Sequence, residues 1–163
     1  MGINSLGIDY GLKRTGLSIT SSGLNPTPLT ILSSANKKDK NYDNTDDFIS
    51  KIIDIVNQMD IDQIVIGNPI NKDGSIGLQS KLTSNFAKIL LSKLHDKMKI
   101  DIPPIFLQDE RYTSAYASAQ LLSDSKGNGK ISKGLDSYSA VLILKEFYES
   151  GGGDAEIVQW IFK

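Results

Sequence analysis

The run Ile61-Asp62-Gln63-Ile64-Val65-Ile66-Gly67 limits what this chain can become more than any other stretch. It is β-branched and apolar at its centre, and it lies between two segments of helical periodicity. Such a run suits a strand buried on both faces, as parallel strands are. A parallel strand entered and left through helices is the mark of an α/β protein. Before it, Phe48, Ile49, Ile52, Ile53, Ile55 and Val56 share one broad apolar face and predict a helix over about Thr45–Met59. After it, Leu82, Phe86, Ile89, Leu90 and Leu94 mark the buried stripe of a long helix, opened by the loop Asn68–Gly74.

The flanking segments complete the order. Residues 3–9 and 14–20 read as strands joined at Tyr10-Gly11-Leu12-Lys13, and 28–33 as a third strand after a turn-rich stretch with Pro26 and Pro28. The polar segment Ser33–Asp47 reads as a loop. Pro103-Pro104 introduces a strand at Ile105–Gln108, and Thr113 caps a helix running to about Ser123. Ser125–Lys133, with Gly127 and Gly129, reads as a basic loop; a helix Asp136–Glu149 follows and Gly151-Gly152-Gly153 breaks it. The expected architecture is α/β: a five-stranded mixed sheet, an antiparallel meander then parallel crossovers, with helices on both faces. One domain over residues 1–150 is expected. The tail 151–163, with Ile157, Trp160, Ile161 and Phe162, is too apolar to be idle and is expected to dock on the body or on a partner.

Composition removes several kinds of chemistry. The chain has no cysteine and one histidine, His95, so disulfides, thiolate metal sites and multi-histidine zinc sites are excluded. No apolar run is long enough for a membrane span, and no secretory signal is visible at the N-terminus. The expectation is a soluble protein of the cytoplasm, or of an organelle if a transit peptide has been removed. A net charge of −1 and a pI of 5.8 argue against strong nonspecific binding of nucleic acid. A local basic rim remains: Lys13, Arg14, Lys72, Lys81, Arg111, Lys126, Lys130 and Lys133 fall in or beside the loops that carry the acids.

Those acids form three islands: Gly7-Ile8-Asp9-Tyr10-Gly11, Gln108-Asp109-Glu110-Arg111 and Lys133-Gly134-Leu135-Asp136. Each sits at an element boundary, where side chains from distant parts of a chain converge. Alternation puts Ser5, Gly7 and Asp9 on one face of the first strand, and Gly16, Ser18 and Thr20 form a similar small-residue face on the next. A carboxylate at the rim of such a face is open to a ligand or metal; the same Asp also suits a β-turn. Asp109 and Glu110 point opposite ways, so one of them shares a site with Asp9, and Glu110 has the longer reach. Asp136 stands where an N-cap belongs, yet continues the stripe of Ala140, Ile143, Leu144 and Phe147 toward the sheet. Together these carboxylates suit hard divalent cations: two Mg²⁺ or Mn²⁺ ions ~4 Å apart, acting on a phosphodiester. Lys72, Arg111 and Lys133 are then placed for flanking phosphates, and Tyr10, Tyr112, Tyr116 and Tyr138 for stacking on bases or for packing.

The islands also carry a resemblance. Leu6-Gly7-Ile8-Asp9-Tyr10-Gly11-Leu12-Lys13-Arg14-Thr15-Gly16-Leu17 resembles the opening motif of the YqgF/RuvX family. Ile64 to Gly74 resembles its second motif, with Asn68 where Leu is usual and Lys72 where Met is frequent. Asp109 to Ser114 and Lys133 to Leu144 resemble the third and the last. The resemblance implies an RNase H-like fold related to Holliday-junction resolvases. It implies a nuclease that matures the end of small-subunit (pre-16S) ribosomal RNA precursors during ribosome biogenesis. It carries Asp9, Glu110 and Asp136 as metal-binding catalytic acids, with Asp109 a further one.

The expected activity is therefore metal-dependent hydrolysis of structured RNA, with ribosomal particles as partners and no membrane. Cleavage of branched DNA by the same residues is the nearest alternative. A phosphate-binding hairpin of the actin-like ATPase kind needs two such domains, and the length of this chain suits one. A non-catalytic nucleic-acid-binding module of the same fold is the third reading.

Overall fold

The computed structural model describes residues 2–33, 45–110 and 131–159, without the side chains of 131–137. Six strands form one sheet in the order β3-β2-β1-β4-β5-β6. β1 (Asn4–Asp9) and β2 (Arg14–Ser21) are antiparallel, as are β2 and β3 (Leu24–Ser33). β4 (Gln63–Asn68) lies parallel to β1, and β5 (Ile105–Asp109) parallel to β4. The meander and the parallel centre are as the periodicity predicts. The strand count is not, because β6 (Ala155–Ile157) adds antiparallel to β5. Three residues are too few for alternation to declare itself in a sequence.

Local chemistry explains the turns. β2 and β3 are joined by Ser22-Gly23 with φ of 58° and 73°, both left-handed, the backbone of a two-residue hairpin turn whose twist matches its strands. β3 starts earlier than residue 28 and holds both prolines; it is an edge strand, where Pro disrupts no ladder on the open side. α1 (Thr45–Gln58) buries Phe48, Ile49, Ile52, Ile53 and Val56. α2 (Leu78–Lys97) buries Phe86, Ala87, Leu90, Leu91 and Leu94, while Leu82 and Ile89 sit at the margin of the core.

The last helix differs from expectation. α3 (Ile131–Glu149) begins five residues before Asp136, so Asp136 lies inside the helix and is no N-cap; residues 131–133 belong to the helix and not to a loop. It ends where Gly151 and Gly152 take φ of 63° and 79°, and Gly152 N–H donates to Phe147 O at 2.9 Å, the left-handed close that glycine permits at a helix C-terminus. The helix expected at 113–123, the loop at 125–130 and Trp160, Ile161 and Phe162 lie outside the described residues.

The two faces of the sheet differ in kind. Leu6, Ile8, Leu17, Ile64, Ile66 and Ile105 point to α1 and α2 and form the larger core with Phe48, Phe86 and Leu90. The opposite face carries Ser5, Gly7 and Ser18 beside a smaller apolar cluster of Val65, Ile143, Leu144 and Phe147. α3 lies on this face, as the stripe of Ala140, Ile143, Leu144 and Phe147 predicts. Ser18 Oγ donates to Ala140 O at 2.7 Å, and Ser5 Oγ and Tyr148 OH are 2.6 Å apart. A Cβ at Gly7 would meet Ser18 Oγ, and would come within 2.7 Å of Leu144 Cγ and 2.8 Å of Ala140 O. Small side chains there let a helix approach the strands closely.

Candidate active site

β1, β4 and β5 run parallel and end side by side at Asp9, Asn68 and Asp109. Sheets of this class bind ligands beyond the carboxyl ends of such strands. Asp9 is partly buried and shares its face with Ser5 and Gly7, so it stands at the rim of the α3 face.

Glu110 follows β5 directly. Its N–H donates to Asn68 O at 3.1 Å, which fixes its backbone against the end of β4. Its carboxylate lies beside Gly67, where a Cβ would come within 2.5 Å of Glu110 Oε2 and 2.5 Å of Ile143 Cδ1. Gly67 is thus the opening into which Glu110 fits. The surroundings raise the Glu110 carboxyl to about 8, first through burial and then through the charges of Asp9, Glu146 and Asp109. Those three neighbours are all negative, so the proton is retained against both poor solvation and repulsion.

Asp109 follows the alternation of Ile105 and Leu107, toward α1 and α2, and its N–H donates to Asp154 O at 3.1 Å. Its charge affects Glu110 less than those of Asp9 and Glu146 do. Asp136 lies in α3 one turn before the buried Ala140, with its side chain outside the described residues. Among the described residues no three acids, histidines or cysteines gather closely enough to hold a metal.

Of the basic residues named from the sequence, Lys13 and Arg14 are exposed after β1, and Lys72 is exposed in the loop after β4. That loop is built by its own polar groups: Asp73 Oδ1 accepts from Ser75 N and Oγ at 2.8 and 2.6 Å, which lowers the Asp73 carboxyl, and Gly74 turns the chain at φ 84°. Arg111 lies outside the described residues, and Lys133 lies in α3 without a described side chain. Tyr10 is no base platform. It is buried, its ring stacks on Phe86 with centroids 4.0 Å apart, and its OH is 3.1 Å from Thr45 Oγ1. Tyr138 is partly buried, Tyr112 and Tyr116 lie outside the description, and His95 is half-buried near the end of α2.

Three contributors escape a reading of the sequence. Glu146 needed the helical register: it falls three residues after Ile143, the side chain that touches the Glu110 slot. Gly67 carried a signal as a glycine ending a β-branched run. Asn68 accepts Ser80 Oγ on its Oδ1 at 2.6 Å and so ties the end of β4 to the first turn of α2.

The sequence as a whole matches a family model described as "RuvX: Holliday junction resolvase" over residues 4–150. The chain belongs to the RuvX family. Relatives agree along nearly their whole length. A protein of Sulfurihydrogenibium sp. (strain YO3AOP1), named "Putative pre-16S rRNA nuclease", is 34% identical over 145 residues, 88% of each chain. A protein of Pseudoalteromonas translucida with the same name is 33% identical over 150 residues, 91% of each. T. thermophilus RuvC, solved in complex with a Holliday junction substrate, superposes with a TM-score of 0.58 at 10% identity, covering 96% of this chain and 99% of that one. At that identity the likeness concerns the fold, which is RNase H-like.

Proposed function

We propose that this protein is a metal-dependent endonuclease that hydrolyses phosphodiester bonds in structured RNA, processing the small-subunit (pre-16S) rRNA precursor. The observation that carries the reading is the pairing of Glu110 with Asp9 at the carboxyl ends of the parallel strands, with Glu110 raised to about 8 by burial and by negative neighbours alone. The names of the relatives support the substrate.

The residues suit a hard divalent cation, Mg²⁺ or Mn²⁺. Their donors are carboxylate oxygens, and their mutual repulsion is what a cation between them relieves. Asp9, Glu110 and Asp136 would hold it, while Asp109, which follows the alternation toward α1 and α2, would act on it through its charge. Once bound, the ion supplies an activated water and charge neutralisation at the leaving oxygen. The protein's own part is positional. Asn68 fixes the Glu110 backbone, Gly67 leaves its carboxylate room, and Glu110, ionised once a cation offsets its negative neighbours, would serve as ligand or take the proton of the attacking water. Lys13, Arg14, Lys72, Arg111 and Lys133 take the flanking phosphates. Ribosomal particles and a cytoplasmic setting follow from such a substrate; no helix among the described residues is long and apolar enough to cross a membrane.

The test is incubation of the protein and its Asp9→Asn variant with precursor rRNA in Mn²⁺, Mg²⁺ and EDTA. Cleavage should need metal and fall on the order of 10³-fold or more in the variant, the scale of several kcal/mol of transition-state stabilisation. Undiminished cleavage in EDTA would remove the metal from the reading. The family description favours one alternative, resolution of branched DNA. Competition between precursor RNA and a four-way DNA junction for one enzyme separates the two.

A further inference from the structure

The catalytic reading leaves one feature of the surface unused. α2 carries four lysines and a single acid, Asp96, in a chain whose net charge is −1. Two of those lysines, Lys81 and Lys88, stand on one stripe with Ser84 and Asn85, at the i, i+3, i+4 and i+7 spacing of a single helix face. That stripe forms the wall of a groove of about 440 Å³, floored by Leu107 of β5 and Glu156 of β6. Lys81, Asn85 and Lys88 are exposed and Ser84 half-exposed, and among the described residues neither lysine is held in an ion pair.

The inner end of the groove is Asn68, with Ser80. Asn68 is the residue whose carbonyl accepts the Glu110 N–H. A strand leaving the acids therefore crosses the ends of β4 and β5 and enters the groove beside Lys81. Seven residues of helix separate Lys81 from Lys88, about 10 Å, a distance two flexible lysines can close onto neighbouring phosphates of one strand. The groove has the capacity of a small-ligand site, enough for a nucleotide or so and far too small for a duplex. Glu156 on the opposite side repels phosphate and presses a backbone toward the lysine wall.

Resting on the nuclease reading, we infer that this groove carries the single-stranded flank of the RNA substrate, with Lys81 and Lys88 on successive phosphates and Ser84 and Asn85 as donors between them. Cleavage then takes place where a strand departs from structured RNA, and the groove sets how much unpaired strand the substrate must supply.

Binding is read by fluorescence anisotropy on the Asp9→Asn protein, using a hairpin RNA with a single-stranded extension, across a range of salt. Lys81→Ala with Lys88→Ala should weaken binding about tenfold at low salt and flatten the slope of log affinity against log salt by about 1.4, two contacts at ~0.7 each. The blunt hairpin should bind the parent and the variant alike. Lys93→Ala with Lys97→Ala, on the side of α2 that faces α1, removes the same charge and should leave the slope unchanged. Unfolding midpoints of both doubles should match the parent, since all four side chains are exposed. Equal losses in the two doubles, or none in the first, overturn the groove. RNA cleavage by the unmutated protein, assayed alongside, judges the nuclease reading separately. Binding through the groove without cleavage keeps the groove and sinks the activity; cleavage without the lysine effect does the reverse. A parent that binds no RNA at any salt sinks both.

Discussion

The two faces of this sheet solve different problems with the same strands. Toward α1 and α2, every second residue is large: Leu6, Ile8, Leu17, Ile64 and Ile66 are all fully buried. Toward α3, the alternate positions of β1, β2 and the end of β4 are Ser5, Gly7, Ser18 and Gly67, where contact is made through hydroxyls, a backbone carbonyl and glycine, while Val65 and Phe106 add a smaller apolar cluster with Ile143, Leu144 and Phe147. The thick face holds the molecule together by apolar area. The thin face brings a helix close to the strand ends, and the carboxylates meet along its rim. The lesson is that the candidate acids stand at the rim of the face on which β1 and β2 carry small side chains. Stability of the one face should fail by deletion, and of the other by addition.

Deletion on the thick face should have the largest effect. Phe48 is fully buried in α1; Phe48→Ala should cost ~3–5 kcal/mol, as a lost aromatic and the cavity behind it do. Urea unfolding measures the loss, and cleavage per folded molecule should hold, since Phe48 belongs to the core and not to the acid pair. Comparable stability losses from truncating Ser18 would contradict the distinction between the faces.

The thin face keeps its acids at some cost, and pH exposes that cost. In the metal-free protein Glu110 holds its proton up to about pH 8, whereas in the unfolded chain it ionises near 4.5. Between those values the folded state binds more protons than the unfolded state. Stability therefore falls as pH rises, with a ceiling of ~1.4 kcal/mol per unit, or about 5 kcal/mol at most over the whole interval. Below about 4.5 the carboxyl is neutral in both states and the dependence ends. Glu110→Gln should flatten the pH profile of urea unfolding and gain stability at pH 8, and saturating Mn²⁺ should restore the parent at that pH. A variant with the parent's slope would show that another group carries it.

Much of the fold was legible because apolar periodicity is written one element at a time. The β-branched run at Ile64–Ile66 marked the central strand, and the stripe from Phe48 to Val56 marked α1. β6 was not legible: three residues paired to β5 owe their form to a neighbouring edge and not to their own pattern. The start of α3 was misread because Gly134 and Asp136 look like a boundary, while the helix runs through both. At the site, Asp9 and Glu110 stood out as acids at strand ends. Glu146 did not, because its closeness to Glu110 exists only once α3 has been laid across the strands. The small-residue face was visible, but not that α3 would lie on those strands. Serine and glycine leave space, but a sequence does not say whether a ligand or a helix fills it.

Gly7→Ala tests that last point with the smallest of the expected effects. Its φ is not in the left-handed region, so any cost arises from contact and not from the backbone. The added methyl would stand 2.8 Å from Ala140 O and 2.7 Å from Leu144 Cγ. Leu144 can shift its side chain, but a carbonyl inside a helix moves only with the helix. Overpacking of that kind costs ~1–3 kcal/mol. It should also lift α3 at the height of Ala140, one turn from Asp136, and so disturb the acids without touching them. The expected result is a modest loss in urea unfolding together with a weaker apparent affinity for Mn²⁺, read as metal-induced stabilisation. Ser18→Ala loses the hydrogen bond to Ala140 O but leaves the spacing, and should keep the metal response. If Gly7→Ala lost stability but kept its Mn²⁺ affinity, the close approach of α3 would serve packing alone, and the link between the thin face and the site would be broken.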